Sequence, residues 1–303
     1  MRARKTVAGR RLLPAFWTAL VLCLGLPALA QDERPAIGKA AWDLPIFDAH
    51  MHYNDDAWDG VSADLVLRMM DKAGVAMALV SSTPDPGTIR LFEHAPNRIV
   101  PELRPYHSGV GRTIWLATPS VLEYLARRLD TYPHRGIGEF HTFGFGDEGL
   151  PVLHGVADLA QKRGLHLHVH ADHKVVDALY AHAPGLTIVW AHAGMVDPPD
   201  VVSATLAKYP NLYADLSYRE REILTENGAM NEDWRAVLMK HSSRFMVASD
   251  TWSNPQWARY DELIETNRRM LALLPRAEAE AIAFKNAERL FGQRISRDLI
   301  GQR

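Results

Sequence analysis

From Trp42 onward, short apolar runs rich in β-branched residues alternate with longer segments whose apolar positions recur every three or four residues. That rhythm predicts a parallel sheet with crossover helices, because neighbouring parallel strands need a long connection between them. Eight strands are expected, over 44–49, 76–81, 99–104, 136–140, 165–170, 187–191, 211–216 and 245–249. Between them, Val121, Leu122, Leu125 and Leu129 share one helical face, and Val175, Val176, Leu179 and Tyr180 share another. Pro119-Ser120 and Asp200 read as helix starts. Eight strand–helix units in about 260 residues fit one closed (β/α)8 TIM barrel, which typically runs to about 250. An open doubly wound sheet is the alternative, but no Gly-x-Gly-x-x-Gly follows the first strand. No linker, repeat or low-complexity stretch divides residues 31–303, which read as a single domain.

The first thirty residues follow a different pattern. Arg2, Arg4, Lys5, Arg10 and Arg11 precede an apolar run from Ala15 to Leu26, and Ala28-Leu29-Ala30 stands before Gln31. This is the layout of a cleaved secretory signal, which predicts a periplasmic or secreted protein. The run is roughly 12 residues, short of the about 20 that a spanning helix needs, so no stable membrane anchor is expected. Arg10-Arg11 followed by Leu12-Leu13 resembles a twin-arginine signal, the alternative being the general secretion route. Cys23 is the sole cysteine and lies inside this run. Residues 31–303 therefore contain no thiol, which leaves His and carboxylates as the strong metal ligands.

Composition places the chain among ordinary folded proteins, with 47% hydrophobic and 23% charged residues. With the five basic residues of the presequence set aside, 29 Lys and Arg face 36 Asp and Glu, a net charge of −7. Such a surface gives no reason to expect nucleic acid as a partner. A small-molecule substrate is expected instead, and association into homo-oligomers is left open.

Polar residues gather where the strands end: Asp48, His50 and His52 on the first, Glu139 and His141 on the fourth, His170 on the fifth, His192 on the sixth and Asp250 on the eighth. The C-terminal strand ends of a barrel form one face, so these residues are expected to converge there. His50 and His52 stand two apart on a strand, point to the same side and can grip one ion. Nitrogen and oxygen ligands without sulfur suit Zn2+, Mn2+, Fe2+ or Ni2+. Glu139 is placed to bridge two ions, and Asp48 is read as an orienting partner of a ligand histidine. On the fifth strand His166, His168 and His170 share a face: His170, nearest the mouth, is the expected ligand, His168 the fallback and His166 a hydrogen-bonded filler. His94, His134, His154, His182 and His241 fall in expected helices or loops and read as ordinary surface residues.

Arg104, in Arg104-Pro105-Tyr106 after the third strand, and Arg219, after the seventh, could face the mouth and clamp a carboxylate or phosphate, or else pair with a structural acid. Tyr106 accompanies Arg104 as a substrate-contacting residue. Trp252 and Tyr218 read either as an aromatic wall or as core. Ser81, Ser82 and Ser249 lie in no nucleophile elbow and have no evident base partner, which argues against a serine mechanism.

Together the segments Phe47-Asp48-Ala49-His50-Met51-His52, Gly136-Ile137-Gly138-Glu139, His168-Val169-His170-Ala171-Asp172, Trp190-Ala191-His192-Ala193-Gly194 and Ala248-Ser249-Asp250-Thr251 resemble the amidohydrolase superfamily, and within it amidohydrolase family 2, a branch of barrel-fold metal-dependent hydrolases and decarboxylases. Asn286-Ala287-Glu288-Arg289-Leu290-Phe291 is similar to the closing helix of that branch. The resemblance implies His50, His52 and Asp250 as ligands, His170 as a further ligand, and His192 as a ligand to a second ion or a group that polarises substrate. Glu139 stands where relatives carry a bridging carboxylate or a modified lysine, and this strand holds no lysine.

The expected function is hydrolysis by a metal-activated water of a small carboxylated lactone, amide or ester, with a divalent metal, zinc foremost, present as one or two ions. Asp250 would take the water's proton and pass it to the leaving group. Two alternatives stand beside this: non-oxidative decarboxylation with the same ligands, and an exported metal- or solute-binding barrel without catalysis.

Overall fold

The structure, a computed structural model, describes residues 43–142 and 146–296. The expected export signal, with Arg10, Arg11 and Cys23, lies outside the described residues. Eight parallel strands form one sheet in sequence order: β1 (Ile46–Met51), β2 (Val75–Ser81), β3 (Ile99–Leu103), β4 (Gly136–His141), β5 (His166–His170), β6 (Thr187–Trp190), β7 (Leu212–Asp215) and β8 (Phe245–Met246). The sheet closes on itself between β1 and the extended segment after β8. Ala49 N donates to Val247 O at 2.9 Å, Asp250 N to His50 O at 2.8 Å, and His52 N to Thr251 O at 2.8 Å. This is the (β/α)8 TIM barrel that the alternation predicts.

Each strand is followed by a covering helix: α1 (Ala63–Ala73), α2 (Pro86–His94), α3 (Val121–Thr131), α4 (Leu150–Arg163), α5 (His173–His182), α6 (Pro199–Lys208), α7 (Glu232–Lys240) and α8 (Tyr260–Ala272). In α1 the Ser62 side chain accepts from Leu65 N, capping the helix, while Val66, Met70 and Ala73 bury the stripe that faces the sheet. Val121 and Leu125 of α3, and Val176, Leu179 and Tyr180 of α5, turn inward as their spacing predicts. None of the described helices is long and apolar enough to cross a membrane.

Inside the barrel, Phe47, Met77, Val100, Val189 and Met246 form a second apolar cluster at the N-terminal end of the strands. A final helix, α9 (Asn286–Phe291), closes this floor: Asn286 Nδ2 donates to the carbonyls of Ser242 and Phe245, and the Phe291 ring lies 5.5 Å from that of Phe47. Two histidines expected at the surface are buried instead. His134 Nε2 lies 2.9 Å from Asp85, which Arg128 also grips, and His241 Nε2 meets Ser203 Oγ at 3.1 Å. A polar partner within reach, invisible in local sequence, makes that burial tolerable.

Candidate metal centre

The opposite, C-terminal end of the barrel opens into a cavity of about 420 Å³. His50 projects from β1 and His52 from just beyond it, Glu139 from β4, His170 from the end of β5. His192 and Asp250 follow β6 and β8 in left-handed backbone, at φ 55° and 43°, which turns both side chains toward the barrel axis. All six are buried.

Four of these atoms enclose one point. His50 Nε2 and His52 Nε2 are 3.0 Å apart; Asp250 Oδ1 lies 3.4 Å and 3.1 Å from them, and Glu139 Oε2 3.8 Å and 3.5 Å. A tetrahedral ion with ligands at about 2.1 Å has edges of roughly 3.4 Å, so the separations suit a small divalent cation. The proton inventory agrees. His50 Nδ1 donates to Asp215 Oδ2 at 3.2 Å and His52 Nδ1 to Ser81 O, which leaves both Nε2 lone pairs aimed at the same place. Asp250 Oδ1, fully buried, has no hydrogen-bond partner among the described residues. Converging lone pairs and an orphaned carboxylate oxygen are unfavourable unless a cation lies between them, so these residues fit a divalent metal.

A second group shares Glu139. Its Oε1 is 2.6 Å from His170 Nδ1 and 3.7 Å from His192 Nε2, and the two imidazoles are 3.2 Å apart. His192 Nδ1 donates to Ser217 Oγ at 2.8 Å, freeing Nε2. The two Glu139 oxygens thus face two ligand sets, as a bridge would. Burial alone would raise its pKa, but His170, His192, His50 and His52 outweigh burial and hold the carboxyl well below the ordinary range. Burial likewise opposes ionisation of Asp250, and His50 and His52 overcome it.

The three β5 histidines separate. His170 faces Glu139 and His192, whereas both nitrogens of His168 meet carboxylates, Glu102 Oε2 and Asp215 Oδ2, each at 3.1 Å. His166 Nε2 sits 2.6 Å from Glu102 Oε1 and fills the interior as expected. Asp48 touches no histidine ring. It accepts from Ser249 N at 2.9 Å, Ser249 Oγ at 2.7 Å and Tyr260 Oη at 2.9 Å, and burial pushes its carboxyl up to about 6 despite these bonds. The orienting carboxylate is Asp215, which the sequence reading passed over.

Around the cavity, Arg104, Tyr106, Tyr218 and Trp252 line the wall. Arg104 is committed to an acid: Nη2 donates to Glu139 Oε2 and Nε to Glu139 O, both at 2.9 Å. Tyr106 Oη accepts from His141 N at 2.8 Å, and the His141 ring stacks 4.3 Å from that of His170. Burial keeps His141 neutral by lowering its pKa to about 4. Trp252 Nε1 donates to Tyr218 Oη at 3.1 Å, and both rings stay partly exposed as a wall rather than entering the core. Arg219 does not reach the mouth. Tyr218, at φ 62°, turns the chain, and Arg219 is fully buried with its guanidinium on the carbonyls of Met195 and Asp197 and above the Trp234 ring. Arg112, which sequence alone did not single out, lines the cavity instead with an exposed guanidinium.

Residues 47–293 match the family model described as Amidohydrolase. The chain belongs to the amidohydrolase family. It is a metal-dependent hydrolase of that type, and the cluster just described could hold a divalent metal. No curated protein matches the chain in sequence. Among solved structures it is similar to a probable 2-pyrone-4,6-dicarboxylic acid hydrolase from Acinetobacter baumannii with citric acid bound, at 14% identity and TM-score 0.57, over 82% of this chain and 100% of that one. It also resembles the phosphotriesterase homology protein of Escherichia coli complexed with phosphate in its active site, at 14% identity and TM-score 0.60, over 82% and 99%. A variant of organophosphorus hydrolase from Deinococcus radiodurans aligns at 14% identity and TM-score 0.55, over 83% and 94%. Likeness at this level of identity establishes the shared barrel alone.

Proposed function

We propose that this amidohydrolase opens a lactone, amide or ester bond in a small carboxylated substrate. The observation that carries the reading is the buried, unpartnered Asp250 Oδ1 beside two converging imidazole lone pairs: a proton acceptor held at the edge of a cation site. His50, His52, Asp250 and Glu139 would hold one divalent ion, zinc being the best match to the donor set, and Glu139, His170 and His192 a second. Such an ion, when bound, supplies Lewis acidity that polarises the scissile carbonyl and acidifies water.

The chain's own groups do the rest. Asp250 accepts the proton of the attacking water and returns it to the leaving group, while its Oδ2, 3.9 Å from His192 Nε2, stays within reach of that ring. Arg104 fixes the Glu139 carboxylate so that it cannot swing toward solvent. Arg112 offers its guanidinium to a substrate carboxylate, and Trp252 with Tyr218 supplies a flat wall for the substrate body. The pyrone dicarboxylate and citrate named for the Acinetobacter neighbour agree with a carboxylated substrate.

Zinc-loaded protein assayed on a panel of carboxylated lactones, esters and amides should open at least one class, with Asp250→Asn inactive on it. Release of CO2 from parent acids without bond opening would replace this reading with decarboxylation. Tight metal binding without turnover on any of them would leave the binding-protein reading.

A further inference from the structure

Beneath the ligands, an unbroken polar chain runs down the barrel interior. Asp215, at the end of β7, has both oxygens engaged: Oδ2 accepts from His50 Nδ1 at 3.2 Å and from His168 Nε2 at 3.1 Å, and Oδ1 accepts from Ser217 N at 3.0 Å and Ser217 Oγ at 2.5 Å. Ser217 Oγ in turn accepts from His192 Nδ1. One carboxylate therefore fixes a histidine of each ligand set. His168 passes the connection to Glu102, and Glu102 passes it to His166, whose ring lies 5.1 Å from Phe291 at the floor. Every member is buried.

The neighbouring strand is shaped to admit this chain. A Cβ at Gly136 would collide with the His166 ring, and one at Gly138, held at φ 150°, with the His168 backbone and Cβ. Burying two carboxylates and three imidazoles is costly unless each is fully paired, so a core with no other use for them would hold apolar residues. Here each donor points at a carboxylate, and the chain ends on a ligand nitrogen's opposite face.

We propose that Asp215 is the positioning residue of the metal centre, aiming His50 directly and His192 through Ser217, and that His168 and Glu102 brace it from below. With Nδ1–H of each ring tied down, Nε2 is left as the electron-pair donor, and the negative charge behind it makes the imidazole a stronger ligand. The proposal rests on the metal-site reading above, and the test separates the two.

Chelator-stripped full-length protein is titrated with Zn2+ against a chromogenic chelator, for wild type and for Asp215→Asn, Ser217→Ala and Glu102→Gln. Asp215→Asn should weaken Zn2+ binding by roughly 10- to 100-fold, the usual loss for an orienting partner, although no ligand is touched. Ser217→Ala should weaken the His192 set alone. Glu102→Gln should cost a smaller factor, and nothing further when added to Asp215→Asn. Nitrogen-15 spectra of the histidines in stripped protein should show His50 losing its Nδ1–H form in Asp215→Asn. Failure of wild type to bind Zn2+ would remove the metal site itself. Binding by wild type with unchanged affinity in a folded Asp215→Asn would overturn the positioning role. If that variant does not fold, unchanged affinity in both Ser217→Ala and Glu102→Gln overturns it equally.

Discussion

Floor and mouth of this barrel are built on the same eight strands and follow opposite rules. At the floor, Phe47, Met77, Val189, Met246 and Phe291 fill the interior by shape, and the polar pair there, His166 with Glu102, is buried and has its remaining carboxylate oxygen taken by His168. At the mouth, His50 Nε2, His52 Nε2 and Asp250 Oδ1 crowd within 3.0 to 3.4 Å of one another around one point. The floor is satisfied by its own packing, whereas the mouth has the donor set that could hold a cation. β5 shows the gradient within one strand: His166 meets Glu102 near the floor, His168 joins Glu102 to Asp215, and His170 meets Glu139 at the mouth, so the same residue type changes partner with height. Stability and chemistry are therefore separable along the barrel axis.

If that separation holds, the largest effect of any single truncation should come from the floor. Phe291→Ala should cost about 3–5 kcal/mol of unfolding free energy, the range for removing a buried aromatic, while Zn2+ affinity of the folded protein stays put. Denaturant melts and metal titration on the same sample check both halves, and a variant of normal stability but weakened metal binding would break the division.

Asp250→Asn is the complementary test at the mouth. Turnover should fall at least about 100-fold, or roughly 2.7 kcal/mol in activation free energy, with the fold intact and metal affinity only partly reduced. Near wild-type rates would refute the assigned proton transfer. His50→Ala should differ in kind, lowering metal content first, which elemental analysis would register.

Metal removal should bring the two ends into contact. At an ion concentration of 100 times Kd, binding stabilises the folded state by about 2.7 kcal/mol, so chelation should lower the unfolding midpoint and refilling should restore it. A midpoint indifferent to chelator would mean that the mouth contributes nothing to the folded state.

The smallest effect belongs to the rim. Trp252 is half exposed, so Trp252→Ala should raise KM about fivefold, from about 1 kcal/mol of lost apolar contact, and leave kcat alone. A loss confined to kcat would instead place the ring against the reacting atoms.

Much of this was legible in the sequence, because strand ends can be read from period and breakers, and barrel topology then gathers His50, His52, Glu139, His170, His192 and Asp250 without any knowledge of contacts. What was not legible depends on partners distant along the chain. Asp215 also ends a strand, and its rank there was a usable signal, but nothing local says that it rather than Asp48 meets His50. Asp48 was the natural guess from its place two residues before His50, yet its carboxylate is taken up by Ser249 and Tyr260, partners some two hundred residues away in the chain. Of the two roles left open for Arg219, the structure shows the structural one, with its guanidinium on Glu222 and the carbonyls of Met195 and Asp197, beside a left-handed Tyr218 whose conformation sequence rarely announces. Strand β8 is shorter than expected because Val247 onward bonds to β1 rather than to β7.

That last bond pattern bears on how the protein comes into being. The seam of the barrel is stitched by the backbones of His50, His52, Asp250 and Thr251, so two arms of the metal site are also the two edges that must meet for the sheet to become a closed surface. A chain lacking Asp250 and Thr251 is thus denied these seam hydrogen bonds together with one acid of the candidate metal site.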